Sequence, residues 1–235
     1  MLVAAKIHLV IIFATDWATL ASLATAAGTF LLATATFGAI RASSRAAQVA
    51  EVALQEQRRP VLNQSRIDDP AQKLMFADGH WGVAEGGRAS ASVIDGGIYL
   101  SVSLRNVGAG MGVCHAWYAT RAVIDNGELT THAPIKEFHH QARDTYIPPG
   151  DIGLWQGMVR GLQDQHIQEL AATISAGEGL SLDLLYTDLV GNQATVSRFD
   201  LRAANDTWYV TKTRHWYLVE RAGHFASPLD RFVSP

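Results

Sequence analysis

A run of 24 residues without a charge, from Trp17 to Ile40, constrains this chain more than any other feature in it. At about 1.5 Å per residue, a helix of that length matches the roughly 30 Å hydrocarbon core of a bilayer. The run is rich in Ala and Thr, with Leu20, Leu23, Phe30, Leu31, Phe37 and Ile40 among its larger apolar side chains. Threonine hydroxyls can bond back to helix carbonyls and so need no water. A buried helix of a soluble protein would carry a polar face and rarely stays uncharged this long. The expectation is one membrane crossing.

Its direction follows from the flanks. Lys6 is the only Lys or Arg before the run, whereas Arg41, Arg45, Arg58 and Arg59 follow it. Basic residues stay on the cytoplasmic side. The N-terminus is thus expected outside and the remainder of the chain in the cytoplasm, against the inner (plasma) membrane of a bacterium. A cleaved signal peptide would have an apolar core of only about 7–15 residues behind a basic start. Residues 1–15 form a leader of unclear role, in which Ile7 to Phe13 is apolar but too short to cross alone. Asp16 reads as the N-cap of the main helix, with Trp17 at the lipid interface.

After Ile40 the sequence RASSRAAQVAEVALQEQRR is rich in helix formers, with Ala46, Val49, Ala50, Ala53 and Leu54 at helical spacing. The helix should continue as a linker over residues 41–59 and stop before Pro60, which disfavours helix in the residue preceding it. Its apolar stripe suits packing on the following domain or pairing with a second copy as a homodimer.

From Pro60 the period changes to two. Ile98, Leu100, Val102 and Leu104 alternate with Tyr99, Ser101 and Ser103, the pattern of a strand with one buried face. Leu180, Leu182, Leu184 and Tyr186 repeat it, and Val113 to Ile124 and Thr207 to Val219 are further β-prone runs. Asp95-Gly96, Asn126-Gly127, Pro148-Pro149-Gly150 and Gly191-Asn192 read as tight turns. The fold class is mainly β: an antiparallel β-sandwich-like domain over residues 60–219, behind the transmembrane helix (16–40) and linker, with a tail at 220–235. Two short helices are expected. One runs from an Asp164 N-cap through Ile167, Leu170, Ala171 and Ile174 to Gly177, and the other covers Ile135 to Arg143. The stretch from Ile67 to Gly97 reads as irregular, a place where recognition is often carried.

Composition excludes some functions. Formal charge is −3, from 19 basic and 22 acidic residues, so no field favours nucleic acid. The single cysteine, Cys114, allows no intramolecular disulfide and sits in an apolar strand with no group to lower its pKa. Gly108-Ala-Gly110-Met-Gly112 follows a strand as a dinucleotide-binding loop does, but Val113 takes the place of the third glycine and a strand follows where a helix should. It reads as a turn. His139 and His140 are adjacent, and no HExxH or Cys/His pairing accompanies them, so no metal and no cofactor is implied. The carboxylates Asp68, Asp69, Asp78 and Glu85 lie near His80 and Trp81, although Asp68-Asp69-Pro70 is also an ordinary turn opener. Trp81 and Trp155 are expected nearer the surface than the other tryptophans of the domain. Asp69, His80, Trp81 and Trp155 are therefore the candidate binding face.

The strings DWATLASLATAAGTF, RIDDPAQKLMFADGHW, IYLSVSLRNVGAG, YIPPGDIGLWQG and RHWYL resemble a family of uncharacterised actinobacterial single-pass membrane-anchored proteins with a cytoplasmic β-rich domain. The resemblance spans Asp16 to Leu218 and implies no known activity. It also suggests that translation in relatives begins near Asp16. The expected function is a non-enzymatic, membrane-tethered interaction or sensing domain with the bilayer and a protein as partners. The alternative is an enzyme or small-ligand receptor using Asp69, His80 and Trp81.

Overall fold

The computed structural model describes residues 2–122, 131–161, 164–220 and 232–233, with side-chain surroundings for 17–122, 131–161 and 164–218. The chain divides into two compact units, Met1–Glu56 and Gln57–Pro235. The first is helix α1 (Leu2–Gln57). It is unbroken, so Asp16 lies inside the helix and does not cap it. An interior Asp costs only about 0.7 kcal/mol against Ala, too little to break a run of good helix formers. From Trp17 to Gln57 the helix is long and apolar enough to cross a membrane. Thr25, Thr29 and Thr36 each donate to the carbonyl four residues back at 2.7–2.8 Å, so these hydroxyls need no outside partner. The helix ends three residues before Pro60.

The second unit is mainly β. Its strands are β1 (Leu62–Gln64), β2 (Gln72–Met75), β3 (Trp81–Ala84), β4 (Arg88–Ile94), β5 (Gly97–Asn106), β6 (Gly112–Arg121), β7 (His139–Ile147), β8 (Ile152–Arg160), β9 (Leu180–Thr187), β10 (Ala194–Ala204) and β11 (Thr207–Tyr217). Short segments β12 (Val219–Glu220) and β13 (Phe232–Val233) pair with each other. Nine strands form one antiparallel sheet, ordered β1-β5-β4-β11-β10-β9-β6-β7, with β8 on the other side of β5. The layered core expected of two facing sheets comes instead from this single sheet curling on itself. Its edges β7 and β8 are neighbours in sequence, joined by the Pro148-Pro149-Gly150 turn, where Asp151 N donates to Pro148 O at 3.2 Å and Gly150 has φ +74°.

Inside the curl, Ile98, Leu100, Val102 and Leu104 of β5 meet Leu182, Leu184 and Tyr186 of β9, Phe199 of β10, and Trp117 and Trp155. Helix α2 (Gln165–Ser175) adds Ile167, Leu170, Ala171 and Ile174 to this core. Asp164 caps it, accepting from His166 N at 2.8 Å, and Gly177 at φ +66° ends it, as its sequence predicts. The Asp95-Gly96 turn, with φ of 49° and 71°, has the two left-handed residues that a type I′ hairpin between β4 and β5 requires.

Four expectations are corrected. Residues 139–143 are strand, and the helix expected there is only a 3-10 turn, Ile135–Glu137. The stretch from Ile67 to Gly97 is not irregular: it holds the β2–β3 hairpin and β4. Strand β5 is buried on both faces, because the hairpin lays Leu74 and Phe76 over Tyr99. Trp155 is 0% exposed, because it points into the curl against the ring of Trp117 at 5.7 Å. The Asn126-Gly127 turn and most of the C-terminal tail lie outside the described residues.

Candidate functional site

The four residues expected to form one face do not do so. Asp69 accepts from Arg66 N at 2.7 Å and is bridged by Arg105, whose Nη2 and Nε donate at 2.5 and 3.3 Å. These donors, Arg105 foremost, hold the Asp69 carboxyl below the usual carboxylate range. Its role is the turn. His80 lies six β5 positions away, its ring tilted against Tyr99 at 4.8 Å between centroids, and six residues of strand are roughly 20 Å. Trp155 is on the other side of the sheet, inside. His80 and Trp81, adjacent in sequence, are the pair that stays together.

Asp78, in the turn between β2 and β3, accepts from Tyr99 Oη and Arg160 Nη2, both at 2.5 Å, and from His80 N at 3.1 Å. The hydroxyl of Tyr99, then the His80 amide and Arg160, hold the Asp78 carboxyl low. This clamp ties the hairpin to the ends of β5 and β8. With Leu74 and Phe76 turned inward, the opposite face of the hairpin presents Met75, Trp81 and Val83, which are 55%, 65% and 49% exposed. Cross-strand pairing sets Met75 directly opposite Trp81, and Lys73 opposite Val83. The result is a mostly apolar face with the indole at the turn end of the hairpin and Lys73 beside Val83 at the other.

A groove of about 380 Å³ lies beside this face, between the hairpin and the two edges of the sheet. Phe76, Met158 and the ring of Trp117 form its apolar part. Gln141, Arg143 and Gln156 line the rest. Strand β7 departs from regular pairing here: Cys114 faces Thr145 while Ala116 faces His140, so the residues between are bulged. Bulging at a sheet edge near a cleft re-aims side chains, and it is what brings Gln141 across to β8, where its Nε2 donates to Gln156 O at 3.0 Å. Burial, with nearby His166 adding to it, holds the imidazole of His139 below its usual value; its ring lies 5.0 Å from Trp117.

Two other clusters look chemical and are structural. His115 Nε2 lies 2.8 Å from Thr187 Oγ1 and its Nδ1 is 3.2 Å from Asp144, the order of a nucleophile, base and acid. Thr187, however, is 2% exposed and its hydroxyl donates to Asp188 O at 2.8 Å, so nothing can reach it for attack. The cluster braces β6, β7 and the end of β9. On the outer side of β9 and β10, Arg198 donates to both oxygens of Asp183 at 2.7 Å, each residue under 8% exposed. Arg198 also donates to Thr131 O and lies 5.1 Å from the ring of Trp216. Neither cluster has a local motif, because its members lie far apart in sequence.

Gly108 and Gly110 hold no phosphate loop. A Cβ at Gly110 would come within 1.7 Å of Arg58 O, and one at Gly108 within 2.4 Å of Arg59 O. They are glycine because the entering chain lies directly against them. Cys114 is fully buried, and burial pushes its thiol well above the usual range. Among the described residues no three His, Cys, Asp or Glu side chains converge as metal ligands.

No protein-family model and no curated protein sequence matches this chain. Among solved structures, a crystal structure of a protein from Archaeoglobus fulgidus is similar at a TM-score of 0.23 and 12% identity, over 55% of this chain and 93% of that one.

Proposed function

We propose that this chain is a non-enzymatic, membrane-tethered interaction module that takes a protein partner on the outward face of its β2–β3 hairpin. The observation that carries the reading is the exposure of Met75, Trp81 and Val83 side by side on a hairpin clamped rigidly by Asp78, Tyr99 and Arg160. A fixed, exposed indole flanked by apolar side chains is what interface anchors look like before their partner arrives. The alternative, an enzyme or small-ligand receptor using Asp69, His80 and Trp81, draws less support, since Asp69 is bound to Arg105 and His80 to Tyr99, six β5 positions or roughly 20 Å apart.

The tether is the Trp17–Ile40 part of α1. Its larger side chains, Trp17, Phe30, Leu31 and Phe37 among them, are each at least 61% exposed. Full burial of such a side chain is worth about 1.5–3 kcal/mol, a gain that lipid supplies to all of them at once. Arg41, Arg45, Arg58 and Arg59 favour a cytoplasmic domain at the inner (plasma) membrane. Val49, Val52 and Leu54 are exposed in the linker turns of α1 and suit homodimer pairing through that helix.

The test is photo-crosslinking from Val83 in intact membranes, with Trp81→Ala alongside. A discrete heterologous adduct that Trp81→Ala diminishes supports the module. Adducts that are absent, or unchanged by Trp81→Ala, remove it. Activity of alkaline phosphatase fused after Pro235 would reverse the orientation, and a full-length chain that stays in a detergent-free high-speed supernatant would remove the tether.

A further inference from the structure

Strand β11 borders a seam in the curl, away from the hairpin face. It pairs with β4 at Trp208↔Ala89 and Tyr209↔Arg88, then runs on to Tyr217 along β10. Toward β1 a side chain stands in for the ladder: Gln64 Oε1 accepts from Lys212 N at 3.1 Å, which leaves the Gln64 amide N–H groups as donors.

Register shows what this seam uncovers. Lys212 stands opposite Phe199, His215 opposite Ser197 and Tyr217 opposite Thr195, and all three of those β10 residues are buried. Cross-strand partners share a face, so Lys212, His215 and Tyr217 project from the inner side of the sheet, the side of the core. That side is ordinarily apolar. Here Lys212 is half-buried, while His215 and Tyr217 are exposed. The Tyr217 ring lies 5.2 Å from that of His215, edge to face, and the Arg59 guanidinium stands 4.2 Å from the Tyr217 centroid. Lys212, His215 and Arg59 thus follow one another along the seam.

The row is rich in donors and basic groups. Among the described residues nothing accepts from the Lys212 ammonium. Burial holds the Lys212 amine below its usual range, and burial followed by the charge of Lys212 does the same to the His215 imidazole, with no carboxylate acting on either. A half-buried ammonium without a partner has lost hydration and gained nothing in return, and neighbouring cations repel. An anion offsets both. A carboxylate is best matched by the planar fork of an arginine, whereas lysine meets phosphate as a point charge, and the oxygens of a phosphate monoester accept from several donors at once.

We infer that the seam beside β11 binds a phosphate monoester, with Lys212, His215 and the Gln64 amide as its donors and Arg59 as an outlying charge. Two sources share this chemistry, a soluble phosphate ester and the headgroup of phosphatidic acid.

The experiment follows the His215 ring resonance by NMR in the full-length chain, held in phosphatidylcholine nanodiscs with isotope-labelled histidine and assigned by its loss in His215→Gln. Glycerol 3-phosphate is the soluble probe, with acetate at equal ionic strength as control; in a second arm, part of the phosphatidylcholine is replaced by phosphatidic acid. The expected result is a saturable shift in one arm, with the His215 titration moved to higher pH because a bound anion favours the imidazolium. Which arm shifts the resonance names the source. Lys212→Met should weaken binding by about tenfold, the loss of one charge-assisted hydrogen bond. Arg214→Met removes an equal charge from the outer side of β11, opposite Arg198, and should change it by less than about twofold. Lys212→Met keeps the stem against Phe199 and deletes an unpaired charge, so its denaturant midpoint should be at or above that of the wild type, and its loss of binding can be read as local. No shift in either arm overturns the assignment, as does an equal shift with acetate or an equal loss in the two variants, which would reflect diffuse charge alone. If Lys212 serves only as an inward charge that blunts the strand edge, Lys212→Met will self-associate and bind as the wild type does, and the assignment falls. Trp81→Ala should leave the titration unchanged, which separates this site from the proposed interaction face.

Discussion

Two amide side chains, one buried and one half-buried, stand at opposite extremes in this domain. Asn106, fully buried, has every group answered: Oδ1 accepts from Val61 N and Gly108 N, and Nδ2 donates to Gly110 O and Ile147 O, at 2.6–3.2 Å. Its backbone bonds Asp151 O and Gly150 N as well. Gln156, beside the groove, has a shielded side-chain oxygen with no hydrogen-bond partner among the described residues. The contrast separates two consequences of the same chemistry. A saturated amide joins the entering chain, the β5–β6 connection and the β7–β8 turn into one piece, whereas an unsaturated one costs stability.

The largest effect that sharpens this contrast should come from the other saturated group, the Asp183–Arg198 pair. Asp183→Ala strands a buried guanidinium and should cost about 3–5 kcal/mol in urea unfolding. Replacing both by Leu and Met should restore much of that loss. Asn106→Ala should follow, at about 2–4 kcal/mol, because it leaves several backbone groups unanswered at once. A loss under about 1 kcal/mol would show that water can replace the amide, and the comparison would fail.

Acid gives the smallest effect. The carboxyls of Asp69 and Asp78 are held low in the fold, so their contribution is present above the ordinary value of 3.8 and fades as pH falls below it. The imidazoles of His139 and His215 are also held low, chiefly by burial, so the unfolded chain takes up protons first as pH falls through about 6.5. Stability should therefore fall with acid in two windows, the upper one from the histidines. His139→Gln should flatten the upper window in a series of urea melts from pH 7.5 to 5, and leave the lower one in place.

What was legible in the sequence was whatever had one periodicity and clean punctuation. Strand β9 and helix α2 show an apolar stripe at every second or every third to fourth residue, although β9 is buried on both faces and not on one as its alternation implied, and Asp164, Gly177 and Asp95-Gly96 mark ends by their own backbone chemistry. Strand β8 was hidden by its glycines. A Cβ at Gly157 would lie 2.6 Å from the Trp155 ring, and one at Gly153 2.6 Å from Ile147, so the glycines make room for core side chains and are not turn signals. Its place just after the Pro148-Pro149-Gly150 turn made Trp155 look like a surface residue. Strand β7, an exposed and bulged edge, has no alternation to read. Of the candidate face, Trp81 was legible as a surface aromatic, but nothing local could say that Gln141 and Gln156 would meet across the opening of a curled sheet.

The close approach of Gly108 and Gly110 to Arg58 and Arg59 bears on mechanics. The chain leaving α1 passes under the β5–β6 connection with no room between the two backbones, and Asn106 fastens it there. Tension applied at Arg58 and Arg59 would therefore load Asn106, and with it the end of β5, at once. Any side chain larger than hydrogen at Gly110 would pry that junction apart.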